Sequence, residues 1–336
     1  MKKVLLILLA TLALGVVIVL VLAMGQPDTF RVERQASIRA LPETVFAHLN
    51  DFKQWERWSP WEKLDTAMQR TLSGSGAGVG AVYEWSGNDD VGKGRMEIIG
   101  SVPSTSITIN LDFLEPFEGH SVTNFSLRRD GLTTAVTWTM DGTNQFLGKV
   151  MCVFVDMDVM VGGDFEEGLS NLKRVAEEET RDIVLTRTFN APLERVWKAW
   201  TDPAQVMKWW GPRGFTSPSC QIDLREGGRY IFSMRPPKEF GSNDLYTSGV
   251  YSKIVPGELL EFNQGLSDKD GNRIDPGTIG MPADFPAEIP TSLKFARVGD
   301  KTELTATEYG WRIGQMRELS EAGFAECLDK LGESLR

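Results

Sequence analysis

The chain begins with an apolar run and continues in short segments that alternate between apolar and polar residues. No residue between positions 4 and 24 is charged. At about 1.5 Å per residue, a helix of that length covers about 30 Å, the hydrocarbon thickness of a bilayer. The run therefore predicts a transmembrane helix over residues 4–24, within an anchor and spacer of residues 1–28. A cleavable signal peptide ending near Ala23 is the alternative.

The flanks of this run bear on its orientation. Lys2 and Lys3 precede it, and Arg31, Arg34 and Arg39 follow it. The arginines belong to a predicted strand, and large domains cross membranes largely regardless of their charge. We therefore expect a single-pass protein of the inner membrane, with the rest of the chain outside the cytoplasm.

Beyond the spacer, one succession of elements occurs twice. Each copy starts with an alternating strand, continues with two short helices, and then alternates at period two through several segments. Each copy ends in a long amphipathic helix. The apolar stripe of this helix is Phe165, Leu169, Leu172 and Val175 in the first copy, and Phe324, Cys327, Leu328 and Leu331 in the second. Because such a helix buries its stripe against a sheet, each copy is predicted to be an α+β domain.

The duplication is visible in the residues as well as in the pattern. Residues 38–58 align without a gap with residues 189–209, at a constant offset of 151. Identical pairs include Ala40 and Ala191, Asp51 and Asp202, and Trp58 and Trp209. The closing helices align at an offset of 159, so the second copy carries a net insertion of 8 residues. We predict two domains, at residues 29–180 and 181–336.

Composition supports folded domains and excludes one class of partner. Hydrophobic residues make up 41% and charged residues 24% of the chain, as in globular proteins. The formal net charge is −10, and residues 29–180 carry most of it, with 14 Lys and Arg against 23 Asp and Glu. An acidic domain without a basic stripe repels phosphate, so nucleic acid is excluded as a partner. No cofactor is predicted, because the glycine-rich residues 73–80 lead into a strand rather than a helix, unlike a phosphate loop.

Cysteine and histidine are too few for the usual metal or nucleophilic sites. Cys152, Cys220 and Cys327 lie far apart and form no CxxC pair. This pattern predicts neither a disulfide framework nor a zinc site. His48 and His120 are the two histidines, and neither has a partner at a defined spacing. We therefore predict no metal site and no catalytic residues.

Aromatic and apolar side chains are the candidates for ligand binding. Tryptophans cluster after the short helices of each copy, where their rings either stack on a flat ligand or pack the helices onto the sheet. A long loop at residues 265–290 supplies two further candidates that would cap the second cavity. The candidate pocket residues are Trp55, Trp58, Trp61, Trp209, Trp210, Met281 and Phe285. Strand carboxylates, among them Glu84, Glu97 and Glu308, are expected on solvated faces.

These segments resemble known families. The first copy resembles the polyketide cyclase/dehydrase branch of the SRPBCC (START-like) superfamily, through WERWSPW (55–61), GVGAVYEW (78–85), residues 92–96 and GGDFEEGLSNLKRV (162–175). The second copy resembles bacterial domains related to the activator of heat-shock-protein-90 ATPase, through FNAPLERVWKAWTDP (189–203), KWWGPRGFT (208–216), LREGGRY (224–230), the loop at 267–286 and GFAECLDKL (323–331). The resemblance implies two tandem helix-grip domains, each a curved antiparallel sheet wrapped around a long C-terminal helix. Relatives of this kind often bind apolar or aromatic small molecules in a central cavity.

We therefore predict a membrane-anchored protein that binds a hydrophobic small molecule or lipid in its helix-grip cavities without catalysing a reaction. Two alternatives stay open. A cyclase or hydrolase acting on an aromatic or polyketide-like substrate requires buried polar side chains in one cavity, for instance a carboxylate within reach of a tyrosine or arginine. A protein-interaction module is suggested by the resemblance of the second copy to chaperone activators.

Overall fold

The computed structural model of the chain describes residues 2–144, 146–154, 156–241, 243–282 and 285–336, and the side chains of all of these except residues 2–7, 147 and 240. The chain divides into two compact units, of which the first ends at Glu178 and the second begins at Glu179. Each unit combines one antiparallel sheet with helices, so the α+β prediction is confirmed.

Within the described ranges, the first unit forms a seven-stranded antiparallel sheet. Its strands are β1 (Thr29–Ile38), β2 (Gln69–Gly74), β3 (Ala81–Ser86), β4 (Lys93–Val102), β5 (Ser106–Glu115), β6 (Gly119–Asp130) and β7 (Thr133–Thr143). Their order in the sheet is β1-β7-β6-β5-β4-β3-β2. Strands β2 to β7 follow one another as a meander because antiparallel neighbours need only short connections.

The helices of the first unit are α1 (Lys2–Met24), α2 (Pro42–Asn50), α3 (Phe146–Cys152) and α4 (Met157–Glu178), with 3-10 helices at Phe52–Arg57 and Pro60–Lys63. Pro42 lies in the first turn of α2, where a missing backbone N–H costs no hydrogen bond. Helix α4 buries Phe165, Leu169, Leu172 and Val175, the predicted apolar stripe. Gly168 lies on the same face, and a Cβ added there would come within 2.8 Å of the Trp138 ring. The glycine therefore lets α4 approach the sheet closely.

The second unit has the same strand order, β8-β14-β13-β12-β11-β10-β9. Its strands are β8 (Thr180–Phe189), β9 (Cys220–Ile222), β10 (Arg229–Met234), β11 (Leu245–Val255), β12 (Leu259–Ser267), β13 (Ile289–Val298) and β14 (Lys301–Arg312). Its helices are α5 (Leu193–Thr201), α6 (Pro203–Val206) and α7 (Gln315–Ser334), with 3-10 helices at Lys238–Phe240 and Pro276–Ile279. Helix α7 buries its predicted stripe of Phe324, Cys327, Leu328 and Leu331. The duplication of sequence is thus a duplication of topology.

The identical aspartates of the two copies perform the same structural role. The side chain of Asp51 accepts a hydrogen bond from the backbone N–H of Lys53 at 2.9 Å, and so caps the 3-10 helix after α2. Asp202 accepts from the backbone N–H of Ala204 at 2.9 Å, and so caps α6. A short side-chain oxygen at this position satisfies a backbone donor that the helix itself leaves unpaired.

The predicted membrane span over residues 4–24 is not supported. A span needs about 20 consecutive apolar residues in one helix. Among the described residues, no helix has both the length and the apolar character that crossing a membrane requires. The predictions of a single-pass anchor and of an inner-membrane location are therefore wrong.

Candidate functional site

The first unit contains a cavity of about 590 Å³ between its sheet and helix α4. Residues of β3, β5, β6 and β7 form one side of it, and Met157, Met160 and Val161 of α4 lie on the other. Aromatic rings that contribute to its wall include Trp55, Trp61, Tyr83, Trp85, Trp138 and Phe165. Small-molecule sites commonly occupy about 300–1,000 Å³ and have apolar walls of this kind.

Two of the three candidate tryptophans of the first copy line this cavity. Trp55 and Trp61 both contribute to its wall. Trp58 is fully buried and is not among the lining residues. The three side chains look equivalent in the sequence, and two of them border the cavity.

Trp58 and its counterpart Trp209 share a core role. The indole N–H of Trp58 donates to the backbone carbonyl of His48 at 3.2 Å, and that of Trp209 donates to the carbonyl of Ala199 at 3.0 Å. Both side chains are fully buried. Each ring therefore fastens the segment after the first short helix back onto that helix.

Replacing either tryptophan by phenylalanine is expected to cost about 1–3 kcal/mol of unfolding free energy, because a buried carbonyl loses its donor. Urea unfolding of the full chain measures the loss. Trp197→Phe is the matched control, since Trp197 is only partly buried and packs on Phe295 at a ring distance of 5.2 Å. An equal loss in all three variants would mean that ring size, and not the hydrogen bond, accounts for the effect.

The space beside the tryptophan cluster of the second unit is filled by side chains. It measures about 10 Å³, no more than a single water molecule requires. Its walls include Trp200, Trp210, Tyr230, Phe232, Tyr251 and Phe262. Trp210 therefore borders a closed aromatic cluster in which a ligand has no room.

The two loop candidates of the second copy lie apart from both spaces. Phe285 packs edge-on against Trp311, with ring centroids 5.7 Å apart. Met281 follows the 3-10 helix Pro276–Ile279 and is half-buried. Neither side chain lines the 590 Å³ cavity or the filled space of the second unit.

A buried carboxylate, Glu62, lines the cavity of the first unit and has two partners. The phenol of Tyr83 donates to Glu62 Oε1 at 2.6 Å, and Arg70 Nε lies 2.6 Å from Glu62 Oε2. The Glu62 side chain is 6% exposed and that of Arg70 is 29% exposed. No sequence pattern indicates this trio, because its members come from a 3-10 helix, β2 and β3 and meet only in the folded chain.

The chemistry of the trio favours orientation of a ligand over proton transfer. Burial of the phenol raises the pKa of Tyr83 above its ordinary range, and the hydrogen bond to the Glu62 carboxylate is the second cause. The phenol therefore keeps its proton at neutral pH and already donates it to a carboxylate, so it is a poor general base. The trio supplies a fixed polar group in an otherwise largely apolar wall.

Asp164 and His120 are among the further ionisable groups that border the cavity. Asp164 of α4 is half-buried, and the indole of Trp61 hydrogen-bonds to its carboxyl group. Burial raises the pKa of Asp164 above its ordinary value. His120 lies at the surface, with its Nδ1 atom 2.6 Å from Asp112 Oδ1. The cavity thus combines an aromatic wall with several acidic groups.

A second buried carboxylate, Glu308, lies in the core of the second unit. It accepts hydrogen bonds from Gln264 Nε2 at 2.9 Å and from the indole of Trp311 at 3.0 Å. Burial raises the pKa of Glu308 to about 7. The expectation of a solvated face is wrong here, because Glu308 has the same strand parity as the buried Leu304 and Ala306. The alternation of residues along β14 is therefore the feature of the sequence that indicates a buried Glu308.

Metal binding has no support in the described part of the chain. There, no group of three or more His, Cys, Asp or Glu side chains is arranged to hold an ion. The three cysteines are free, and Cys327 is buried in the second core.

Comparison with protein families assigns the two halves separately. The family described as polyketide cyclase / dehydrase and lipid transport matches residues 29–177. The family described as activator of Hsp90 ATPase homolog 1-like protein matches residues 190–336. The chain is a tandem of two SRPBCC domains. The resemblance of each domain to its family, inferred above from the motifs, is thereby confirmed.

Solved structures similar to this SRPBCC tandem cover 46% of its chain. A protein from Chromobacterium violaceum is 23% identical over 97% of its own length, with a TM-score of 0.36. An AHSA1 protein from Silicibacter pomeroyi is 24% identical over 97% of its length, also with a TM-score of 0.36. TM-scores this low carry no functional argument, so the assignment rests on the family models. None of the curated proteins matches the chain.

Proposed function

We propose that the first SRPBCC domain binds a hydrophobic small molecule or lipid in its cavity and does not transform it. The observation that carries this proposal is the cavity of about 590 Å³ with its aromatic and methionine wall. Flexible methionines adapt to ligands of different shape, and aromatic rings supply a large apolar contact area. The description of the matching family, which includes lipid transport, agrees with a ligand of this class.

The second SRPBCC domain has a different role in this proposal. The space of about 10 Å³ beside its tryptophans is occupied by its own aromatic rings. We therefore assign ligand binding to the first domain alone. For the second domain, the protein-interaction alternative stays a prediction, supported by the description of its family as related to an activator of Hsp90 ATPase.

One observation favours the enzyme alternative for the first domain. The cavity contains a carboxylate, Glu62, within hydrogen-bonding distance of Tyr83 and beside Arg70, which is one example of the buried polar groups that the cyclase or hydrolase alternative needs. A ligand retained by the purified chain distinguishes the two functions. If wild type converts it to a product of different mass and Glu62→Gln does not, the domain is an enzyme.

Filling the cavity is expected to abolish binding. Leu111 and Val161 are partly buried residues of its wall, and replacing both by tryptophan places two large rings in the ligand's space. We expect the double variant to bind the neutral fluorescent probe N-phenyl-1-naphthylamine roughly tenfold more weakly or worse, since apolar contacts carry the affinity of such a site. Fluorescence titration of the full chain measures this.

The control for this experiment is Val102→Trp. Val102 is 54% exposed at the end of β4 and does not line the cavity. The control variant is expected to bind the probe as wild type does. Equal binding by wild type and the cavity-filled variant would refute the proposal, as would a wild-type chain that neither binds the probe nor retains an apolar ligand.

A further inference from the structure

The charged side chains that line the cavity of the first domain are almost all of one sign. Four carboxylates belong to the wall: Glu62, Asp90, Glu118 and Asp164. Within the described part of the chain, His120 is the one basic residue of the wall. The domain as a whole is acidic too, with 23 Asp and Glu against 14 Lys and Arg over residues 29–180.

The existing counter-ions leave part of this charge unbalanced. Glu62 is paired with Arg70, and His120 lies against Asp112, which is outside the wall. Asp164 has the neutral indole of Trp61 as its hydrogen-bond partner. No ion pair joins Asp164 to a basic side chain among the described residues. Burial also raises the pKa of Asp164, as expected for a carboxylate without a counter-ion.

The aromatic wall adds a second attraction for positive charge. Trp61, which bonds to Asp164, packs edge-to-face with Trp138 and Phe165, at ring distances of 5.8 and 6.3 Å. Trp138 stacks on Phe165 in turn, at 3.9 Å. Indole and phenyl faces attract ammonium groups through their electron-rich surfaces. The Asp164 carboxylate and these aromatic rings therefore border the same cavity.

We propose that this cavity selects apolar ligands that carry a positively charged amine or quaternary ammonium group, with Asp164 as the pairing carboxylate. The inference rests on the proposed function, because it names the ligand class of that same cavity. Among the described residues of the wall, an anionic amphiphile such as a fatty acid meets one basic side chain, His120, which already lies against Asp112. Arg70 lies outside the wall and is paired with Glu62. The carboxylate of the fatty acid would meet three acidic neighbours instead.

Three probes with one ten-carbon chain test the headgroup: decyltrimethylammonium, 1-decanol and decanoate. Each is titrated below its aggregation concentration against the full chain loaded with N-phenyl-1-naphthylamine. We expect displacement in the order ammonium, alcohol, decanoate, with the ammonium roughly tenfold or more tighter than decanoate. Added salt should reduce this preference.

The variant Asp164→Asn removes the charge and keeps the shape. It is expected to weaken decyltrimethylammonium binding roughly fivefold or more and to leave 1-decanol within about twofold. Asp130→Asn is the matched control, because Asp130 is exposed at the end of β6 and outside the cavity wall. It should alter neither probe.

The outcomes separate this inference from the proposed function. If all three probes bind equally, or decanoate binds best, the selection of cations is overturned while ligand binding stands. If Asp164→Asn weakens the ammonium and the alcohol alike, Asp164 is not the pairing residue. If no probe displaces the dye and none binds the free chain, the proposed function itself fails.

Discussion

Replacing Arg70 by methionine is expected to cost the first domain about 3 kcal/mol of unfolding free energy. The substitution leaves the Glu62 carboxylate, 6% exposed, with the Tyr83 phenol as its remaining partner. Removing one member of a buried ion pair is costly because the other charge has lost its compensation and is still shielded from water. Because the Arg70 side chain is 29% exposed, we expect a loss near the lower end of the range measured for broken buried ion pairs.

The measurement is urea unfolding of the full chain, with the transition of the first domain identified as the one that Trp58→Phe also shifts. The double variant Arg70→Met/Glu62→Gln is expected to recover most of the loss, since no uncompensated charge remains. Tyr83→Phe removes one hydrogen bond and should cost about 1–2 kcal/mol. A loss below about 1 kcal/mol for Arg70→Met would show that water screens the pair as it does on a surface.

The second domain is expected to lose stability as the pH rises from about 5 to 8, by about 3 kcal/mol in total. Burial raises the pKa of Glu308 from 4.5 to about 7 in the folded state. The folded domain therefore holds this proton more tightly than the unfolded chain does. The stability that it contributes is complete below pH 4.5 and is lost as the pH rises through about 7.

Glu308→Gln is expected to flatten this pH dependence, because an amide does not titrate. The slope against pH is the readout, since the amide also changes the hydrogen bonds to Gln264 and Trp311 and so shifts stability at every pH. Glu303→Gln is the matched control on the opposite face of β14 and should keep the wild-type slope. An unchanged slope in Glu308→Gln would assign the pH dependence to other groups.

Much of the fold could be predicted because it depends on local periodicity. Period-two segments and the apolar stripe of α4, Phe165 to Val175, determine which faces are buried, and burial of those faces determines an α+β unit. Because residues 189–209 repeat residues 38–58 without a gap, the same α+β fold was predicted for the second domain. The membrane span was predicted from the same kind of local pattern, an uncharged apolar run over residues 4–24, and no helix among the described residues supports it.

The site was predictable only in part. Trp55, Trp58 and Trp61 share one short segment, and nothing local distinguishes the two that line the cavity from the one that bonds to the carbonyl of His48. The trio of Glu62, Arg70 and Tyr83 is likewise invisible in the sequence, because it joins three elements. Such placements depend on which distant side chains meet.

The sequence by itself therefore determined the duplicated α+β architecture, its family and the acidity of the first domain, since these follow from periodicity, motifs and composition. Only the tertiary structure decided that one copy has a cavity of about 590 Å³ while the space beside the tryptophans of the other measures about 10 Å³. The physical reason is that cavity volume is the small difference between the space a sheet and helix enclose and the summed volumes of the side chains that fill it. A few aromatic rings, such as Tyr230 and Phe232, are enough to close it.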